Sequence, residues 1–323
     1  VRTHNCSQKE KELSYNFVVL LRNATKPMTP VQKSYIELHI AVLLFGFTAI
    51  LGKLIELPAV TLVWWRVLIT SVSLLLLIGA GKVFQGISPR ERLQYAGVGV
   101  VVGVHWLTFY GAIKLSNASI TLICMATTSF FTALLEPVLL RQRIKGYELA
   151  LGLLIIPGMA LIVNSAGESK IVGIIVALVS ALLAALFATL NKKLLGDKDA
   201  RRVTFIELSS AWLFISLVLP AVLLTGSEPL AWWPSPLDWF YLLVLALLCT
   251  TLAYVLALRS LRHLSAFSAN LAVSMEPVYG IALAWLLLQE HKELAPNFYW
   301  GVAIITLVVF SYPLVRRMQT KST

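Results

Sequence analysis

The stretch LAVSMEPVYGIALAWLLLQE, residues 271 to 290, sets an acid and a proline, Glu276 and Pro277, in the middle of an otherwise lipid-soluble run. An ionised side chain at the centre of a membrane-crossing helix costs about 2.5–3.5 kcal/mol on insertion scales. Pro277 has no N–H for the carbonyl of Val273, which loses its helical partner. An earlier stretch, TSFFTALLEPVLLRQR at 128 to 143, lies over MEPVYGIALAWLLLQE at 275 to 290. Matching the two Glu-Pro pairs instead, LLEPVLL over MEPVYGI, gives a decoy register. The longer overlay also brings FYGAIKLSNAS (109 to 119) near AYVLALRSLRHLS (253 to 265) with a small gap, and GFTAILGKL (46 to 54) over ALFATLNKKL (185 to 194). The chain therefore reads as two copies of one unit.

Composition says what kind of unit it is. Of 323 residues, 58% are hydrophobic and 13% charged, and the mean hydropathy is +0.79. Soluble domains hold roughly 45–50% apolar residues, so this is an integral membrane protein. Charged clusters and Pro/Gly turns cut the sequence into ten apolar stretches, near 35–56, 58–79, 92–113, 118–140, 146–164, 170–192, 203–225, 236–257, 265–288 and 296–315. Each can cross the ~30 Å hydrocarbon layer of the lipid bilayer as a helix. The continuous Leu/Val/Ile/Ala runs exclude a barrel, whose strands would alternate at period two. Five spans per copy is an odd number, so the second copy enters the membrane in the opposite sense. The expected fold is all-α, ten transmembrane helices arranged as two inverted five-helix repeats, at 35–164 and 170–315.

The net charge of +11 does not point to nucleic acid, because the basic residues recur in every second loop rather than on one soluble module. With the N-terminus inside, inner segments hold Lys82, Arg90 and Arg92, then Arg141, Arg143 and Lys145, then Lys192, Lys193, Lys198, Arg201 and Arg202, then Arg259 and Arg262, and finally Arg316, Arg317 and Lys321. Outer loops hold only Lys53, Lys114, Lys170 and Lys292. The positive-inside rule puts both termini in the cytoplasm of a cell with a bacterial-type inner membrane. Residues 1–34 and 316–323 read as cytoplasmic tails. Within the first, FVVLL is too short to span, and Met28 is the preferred biological start. Cys6, Cys124 and Cys249 show no metal or disulfide spacing and read as free thiols. The sequons at Asn5, Asn23 and Asn117 read as chance matches.

The ordered set GFTAILGK, TLVWWRVLI, HWLTFYGAIKLSNASI and FFTALLEPVLL, followed by ATLNKKLL, TFIELSS, TLAYVLALRSLRHLSAF and MEPVYGIALAWLLLQE, resembles the EamA-type branch of the drug/metabolite transporter superfamily over residues 35 to 315. The resemblance implies a central cavity and, for many members, export of amino acids or other small metabolites. It does not name a substrate. No Walker A, zinc-protease, GxSxG or dinucleotide motif is present, so ATP-driven transport, enzymatic hydrolysis and a bound cofactor have no support. The leading reading is a secondary transporter of a small-molecule substrate. A drug or nucleotide-linked carrier of the same fold and a non-transporting scaffold or sensor are the alternatives, and a homodimer stays open.

Polar side chains inside spans are the candidate site. Glu276 near mid-span, with Tyr279 beside it, reads either as a carboxylate lining a cavity or as a packing acid beside a proline kink. His105 and Trp106, with Phe109 on the His face at i+4, make a plausible small-molecule wall; the alternative is a histidine satisfied by a carbonyl. Arg66 is open between pairing an internal acid, anchoring a substrate carboxylate and snorkelling to the outer surface beside Trp64 and Trp65. Glu136 and Glu207 lie within two turns of the inner face, within reach of the nearby Arg and Lys clusters, and read mainly as structural. Gly97, Gly99 and Gly103, and Ala181, Ala184, Ala185 and Ala188, read as helix-contact surfaces.

Overall fold

A computed structural model of the protein describes residues 28–163, 170–224, 232–288 and 296–321; the expected tail 1–27 and Lys292 lie outside them. Residues 1–33 and 34–323 form separate units. In the first, Thr29 and Gln32 close a capping box, Thr29 N donating to Gln32 Oε1 (2.9 Å) and Gln32 N to Thr29 Oγ1 (3.2 Å). With Pro30 at the first helical position, this starts a helix a few residues earlier than hydropathy suggests.

The first half comprises α1 (Pro30–Leu54), α2 (Ala59–Ile78), α3 (Pro89–Leu115), α4 (Ala118–Ala126), α5 (Thr128–Leu140) and α6 (Gly146–Val163). The second comprises α7 (Ile171–Leu194), α8 (Ala200–Leu224), α9 (Pro236–Ala246), α10 (Ala253–Ser260), α11 (Ala266–Val273), α12 (Glu276–Leu288) and α13 (Pro296–Lys321), with a π-helical segment, Leu247–Leu252, joining α9 to α10. Among the described residues eight helical segments are long and apolar enough to cross a membrane, and shorter apolar runs lie at Gly146–Gly158 in α6 and Tyr299–Val308 in α13. Together they make the ten-span, two-repeat bundle.

The repeat is visible in local structure. The third span of each half opens on the same signature: Ser88-Pro89 with Glu91, and Ser235-Pro236 with Asp238, each a capping box with proline at the first helical position. The fourth span of each half is broken. In the first half α4 stops at Ala126 and α5 restarts at Thr128; in the second α11 stops at Val273 and α12 restarts at Glu276. Each restarted helix has 13 residues. The breaks match the longer overlay and dispose of the Glu-Pro register, because Glu136 is the ninth residue of α5 whereas Glu276 is the first of α12. Pro277 is therefore no kink inside a continuous helix. It occupies the second position of a new one, where its missing N–H costs nothing.

The halves pack through matched pairs of spans. The spans running α4–α5 and α11–α12 meet each other, α2 packs on α8, and α6 packs on α13. Lipid offers no hydrophobic drive for helices already in the membrane, so close contact must come from small residues. A Cβ on Gly99 of α3 would collide with the backbone of Glu207 on α8, and one on Gly103 would lie 3.4 Å from Ala211. Gly46 of α1 similarly meets Gly280 of α12, with 3.2 Å from its would-be Cβ to the Gly280 nitrogen. Gly97, by contrast, faces open space and is no contact. Ala181, Ala184, Ala185 and Ala188 are buried on α7, which runs along α3. The outward faces keep large apolar side chains such as Leu76 and Leu217, which is 80% exposed.

Candidate functional site

A cavity of about 950 Å³, counted with its open mouth, lies between the halves and takes side chains from α1–α5, α7, α10–α12 and the π-helical segment. Arg66, His105, Trp106, Phe109 and Glu276 all line it. Tyr279 does not; it sits where α12 crosses Gly46 of α1, its Cβ 3.2 Å from that glycine's would-be Cβ.

Arg66 is only 3% exposed, so it does not snorkel. Its Nε donates to Thr250 Oγ1 (2.7 Å) and its Nη1 to the Tyr110 hydroxyl (2.6 Å), and the guanidinium carbon stands 4.2 Å over the Trp106 ring. The Thr250 hydroxyl in turn donates a hydrogen bond to the carbonyl of Leu245 (2.7 Å). That i−5 bond belongs to the π-helical turn, whose extra residue aims Thr250 inward. None of these bonds uses Nη2, and among the described residues no carboxylate lies within ion-pair distance of Arg66. The guanidinium is thus oriented by neutral groups and keeps its charge for the cavity.

Glu276 is 8% exposed and makes no side-chain hydrogen bond or ion pair with any described residue. The break at Ser274–Met275 places it at the lip of a new helix, where the free backbone N–H groups of the first turn favour an anion. Asn270, one turn before the break, also lines the cavity and donates from Nδ2 to Thr132 Oγ1 (2.7 Å) across to α5. A packing acid tied to a neighbouring helix would have a hydrogen-bond or ion-pair partner, and among the described residues Glu276 has none within bonding distance.

His105 lies opposite. Its Nδ1 is 2.9 Å from both the carbonyl oxygen and the hydroxyl of Ser180, and that hydroxyl is also 2.9 Å from the His105 carbonyl. A carbonyl can only accept, so Nδ1 carries the hydrogen and Nε2 is left as an acceptor. The carbonyl-satisfied reading of this histidine therefore holds for one ring nitrogen. Phe109 and Phe187 flank the ring at 6.2 and 5.3 Å between centroids.

Sequence reading missed several contributors: Tyr110 and Thr250 fix Arg66, and Asn270, Asn191 and Tyr254 line the cavity. Behind these last two lies Glu207 on α8, fully buried, accepting from Tyr254 Oη (2.7 Å) and Asn191 Nδ2 (3.4 Å) on the same oxygen, Oε2. Neither Glu207 nor Glu136 reaches a basic cluster: Glu136 instead accepts the backbone N–H groups of Ala266 (3.1 Å) and Phe267 (2.7 Å), closing the first turn of α11. The overlay of FYGAIKL on AYVLALRS had the two tyrosines in register, which was the available signal.

An all-helical membrane bundle of two inverted repeats around a largely apolar cavity with a few charged and polar groups has the architecture of a multi-pass transporter. Residues 32–164 and 171–312 each match the EamA-like transporter family, and the chain belongs to it. It is 26% identical over 317 residues, 94% of each chain, to the uncharacterized transporter YetK of Bacillus subtilis (strain 168). A crystal structure at 14% identity superposes with a TM-score of 0.66 over 88% of this chain and 98% of that one, a likeness of fold.

Proposed function

We propose that this membrane transporter is a secondary exporter of small zwitterionic metabolites, amino acids above all, working by alternating access from an inner membrane with both termini in the cytoplasm. One observation carries the reading. The cavity presents a guanidinium and a carboxylate, Arg66 and Glu276, that are not paired with each other or with any other described residue. A substrate carrying its own carboxylate and ammonium satisfies both at once, offsetting the cost of keeping two charges inside the membrane. Trp106, Phe109 and His105 then form the wall for the side chain. The two broken spans supply places where one half rocks against the other, and the basic loops support the orientation.

Uptake of a radiolabelled amino-acid mixture into proteoliposomes tests this. Flux should be saturable, competed by free amino acids, and indifferent to amino-acid amides or N-acetyl amino acids, each of which lacks one charge. Glu276→Gln should insert and melt like the parent while flux falls at least about tenfold, ~1.4 kcal/mol. A destabilised Glu276→Gln protein with unchanged flux per folded molecule rejects the binding role, and no flux under any gradient favours a scaffold.

A further inference from the structure

We infer that Glu207, Tyr254 and Asn191 form a proton-binding site, one side chain behind the cavity wall, that loads and empties through the cavity; this builds on the transport reading above. The argument begins with an imbalance of donors. Tyr254 Oη and Asn191 Nδ2 both donate to Oε2 of Glu207, whereas Oε1 of Glu207 and Oδ1 of Asn191 are buried with no hydrogen-bond partner. Two acceptors of the cluster are orphaned, and among the described residues no donor serves either. Glu207 is 0% exposed and Asn191 1%, so bulk water does not make up the deficit.

The surrounding helices bring no cation to balance the carboxylate. From α2 the only titratable group is Arg66, tied to Thr250 and Tyr110. From α3 come Tyr95, whose hydroxyl donates to Leu194 O, His105, held by Ser180, Tyr110, bonded to Arg66, and Glu91, paired with Lys198. The cations of α3 are Arg92, which donates to Ile87 O, Lys114, which donates to Ile55 O, and Arg90, which is exposed. From α10 come Tyr254 itself and Arg259, paired with Glu37. On α7 Lys192 donates to Leu261 O, and on α8 Arg201 pairs with Asp199 and Arg202 donates to Gln85 O. Among the described residues no Lys or Arg is within ion-pair distance of Glu207.

A single proton supplies what is missing. Bound at Oε1, it turns an orphaned buried acceptor into a donor and neutralises a charge that has no counter-ion among the described residues. The proton comes from water in the cavity and returns to it, with no bond other than O–H made or broken. Tyr254 and Asn191 line the cavity while Glu207 does not, so these two side chains are the path. A sodium ion fits poorly: hard cations of this kind seek about six oxygens, and two of the three groups point N–H or O–H at the carboxylate.

Infrared difference spectra of the purified full-length protein between mildly alkaline and mildly acidic pH decide the matter without any substrate. The expected result is a protonated-carboxyl C=O band that is absent in Glu207→Gln, retained in Glu276→Gln, and insensitive to exchange of sodium for potassium. Should Glu207→Gln fail to fold, Tyr254→Phe keeps the carboxyl and should move the pH at which the band appears. Identical spectra for the parent and Glu207→Gln, an unmoved band in Tyr254→Phe, or a band abolished by sodium overturns the proposal. A second arm measures amino-acid flux driven by an imposed pH gradient. A Glu207 band with no flux of any amino acid sinks the substrate reading and leaves the proton site standing; flux that ignores the gradient in the parent overturns the site's coupling role.

Discussion

Arg66 and Glu207 occupy the same place in the two halves. Each is the eighth residue of the second span of its half, counting from Ala59 and from Ala200. Each is almost fully buried, and each is bonded to a tyrosine hydroxyl from the third span of the same half, Arg66 to Tyr110 and Glu207 to Tyr254. The halves are inverted, so the two charges lie about 10 Å in from opposite ends of the bundle at 1.5 Å per residue. What differs is what surrounds them. A π-helical turn and Trp106 give Arg66 room and a direction, and it opens on the cavity. Glu207 does not line the cavity, and its carboxylate reaches it only through Tyr254 and Asn191. One duplicated scaffold thus carries a charge that opens on the cavity and a charge set one side chain behind its wall, which we propose meet a ligand and a proton respectively.

The largest effect should come from erasing the exposed member of the pair. Arg66→Gln keeps a donor but removes the charge and two charge-assisted bonds, each worth roughly 1.5–3 kcal/mol where it orients the group. Amino-acid flux in proteoliposomes should drop at least about a hundredfold, ~2.7 kcal/mol. Arg66→Lys should recover little, because a point charge cannot hold both Thr250 and Tyr110. Equal rescue by Lys would mean that charge alone matters and that the oriented fork does not.

The crossing over Glu207 gives the next effect. Gly99→Ala forces a Cβ into the Glu207 backbone and should lower stability by about 1–3 kcal/mol, read as melting temperature in detergent. Gly97→Ala, two residues away, points into open space and should be neutral or gain up to about 1 kcal/mol from helix propensity. If the two alanines behave alike, α3 and α8 do not meet at Gly99 as described.

These contrasts also mark where sequence reading succeeds and fails. Ten spans, two copies and the register of the broken helices could be read from hydropathy and overlay, because helix length and repeat are one-dimensional facts. The cavity lining by Arg66, His105, Trp106, Phe109 and Glu276 was anticipated because polar and aromatic groups inside spans are costly and conspicuous. Thr250 and Asn191 escaped notice because their roles come from a π-helical turn and from a contact between distant spans, neither of which has a local signature. Tyr279 shares a face with Glu276 by spacing, yet the Gly46 crossing takes it for helix contact. Glu207 misled for a similar reason: proximity in sequence to Arg201 and Arg202 suggested a surface pair, but its side chain faces the interior while theirs bind Asp199 and Gln85.

The smallest and sharpest test uses the two tyrosines, since each removes a single oxygen from one member of the pair. In Tyr110→Phe the Nη1 of Arg66 loses its acceptor and the guanidinium is held by Thr250 alone. The fork, still stacked on Trp106, is then less firmly fixed in direction, so apparent substrate affinity should weaken about tenfold, ~1.4 kcal/mol, while the pH dependence of flux stays that of the parent. In Tyr254→Phe the carboxyl of Glu207 loses its 2.7 Å donor and the hydroxyl on the path to the cavity. Here the pH dependence of flux should move and apparent affinity should change less than about threefold, because the Phe ring still fills the wall beside Trp106 and Phe187. Steady-state flux across a series of pH values, with substrate concentration varied at each, separates the two. If both variants shift affinity alone, Glu207 is part of the substrate site and the duplicated charges share one task. If both shift the pH profile alone, Arg66 is serving the proton. Only the crossed outcome, affinity for Tyr110 and pH for Tyr254, is compatible with two equivalent positions that have been given different chemistry.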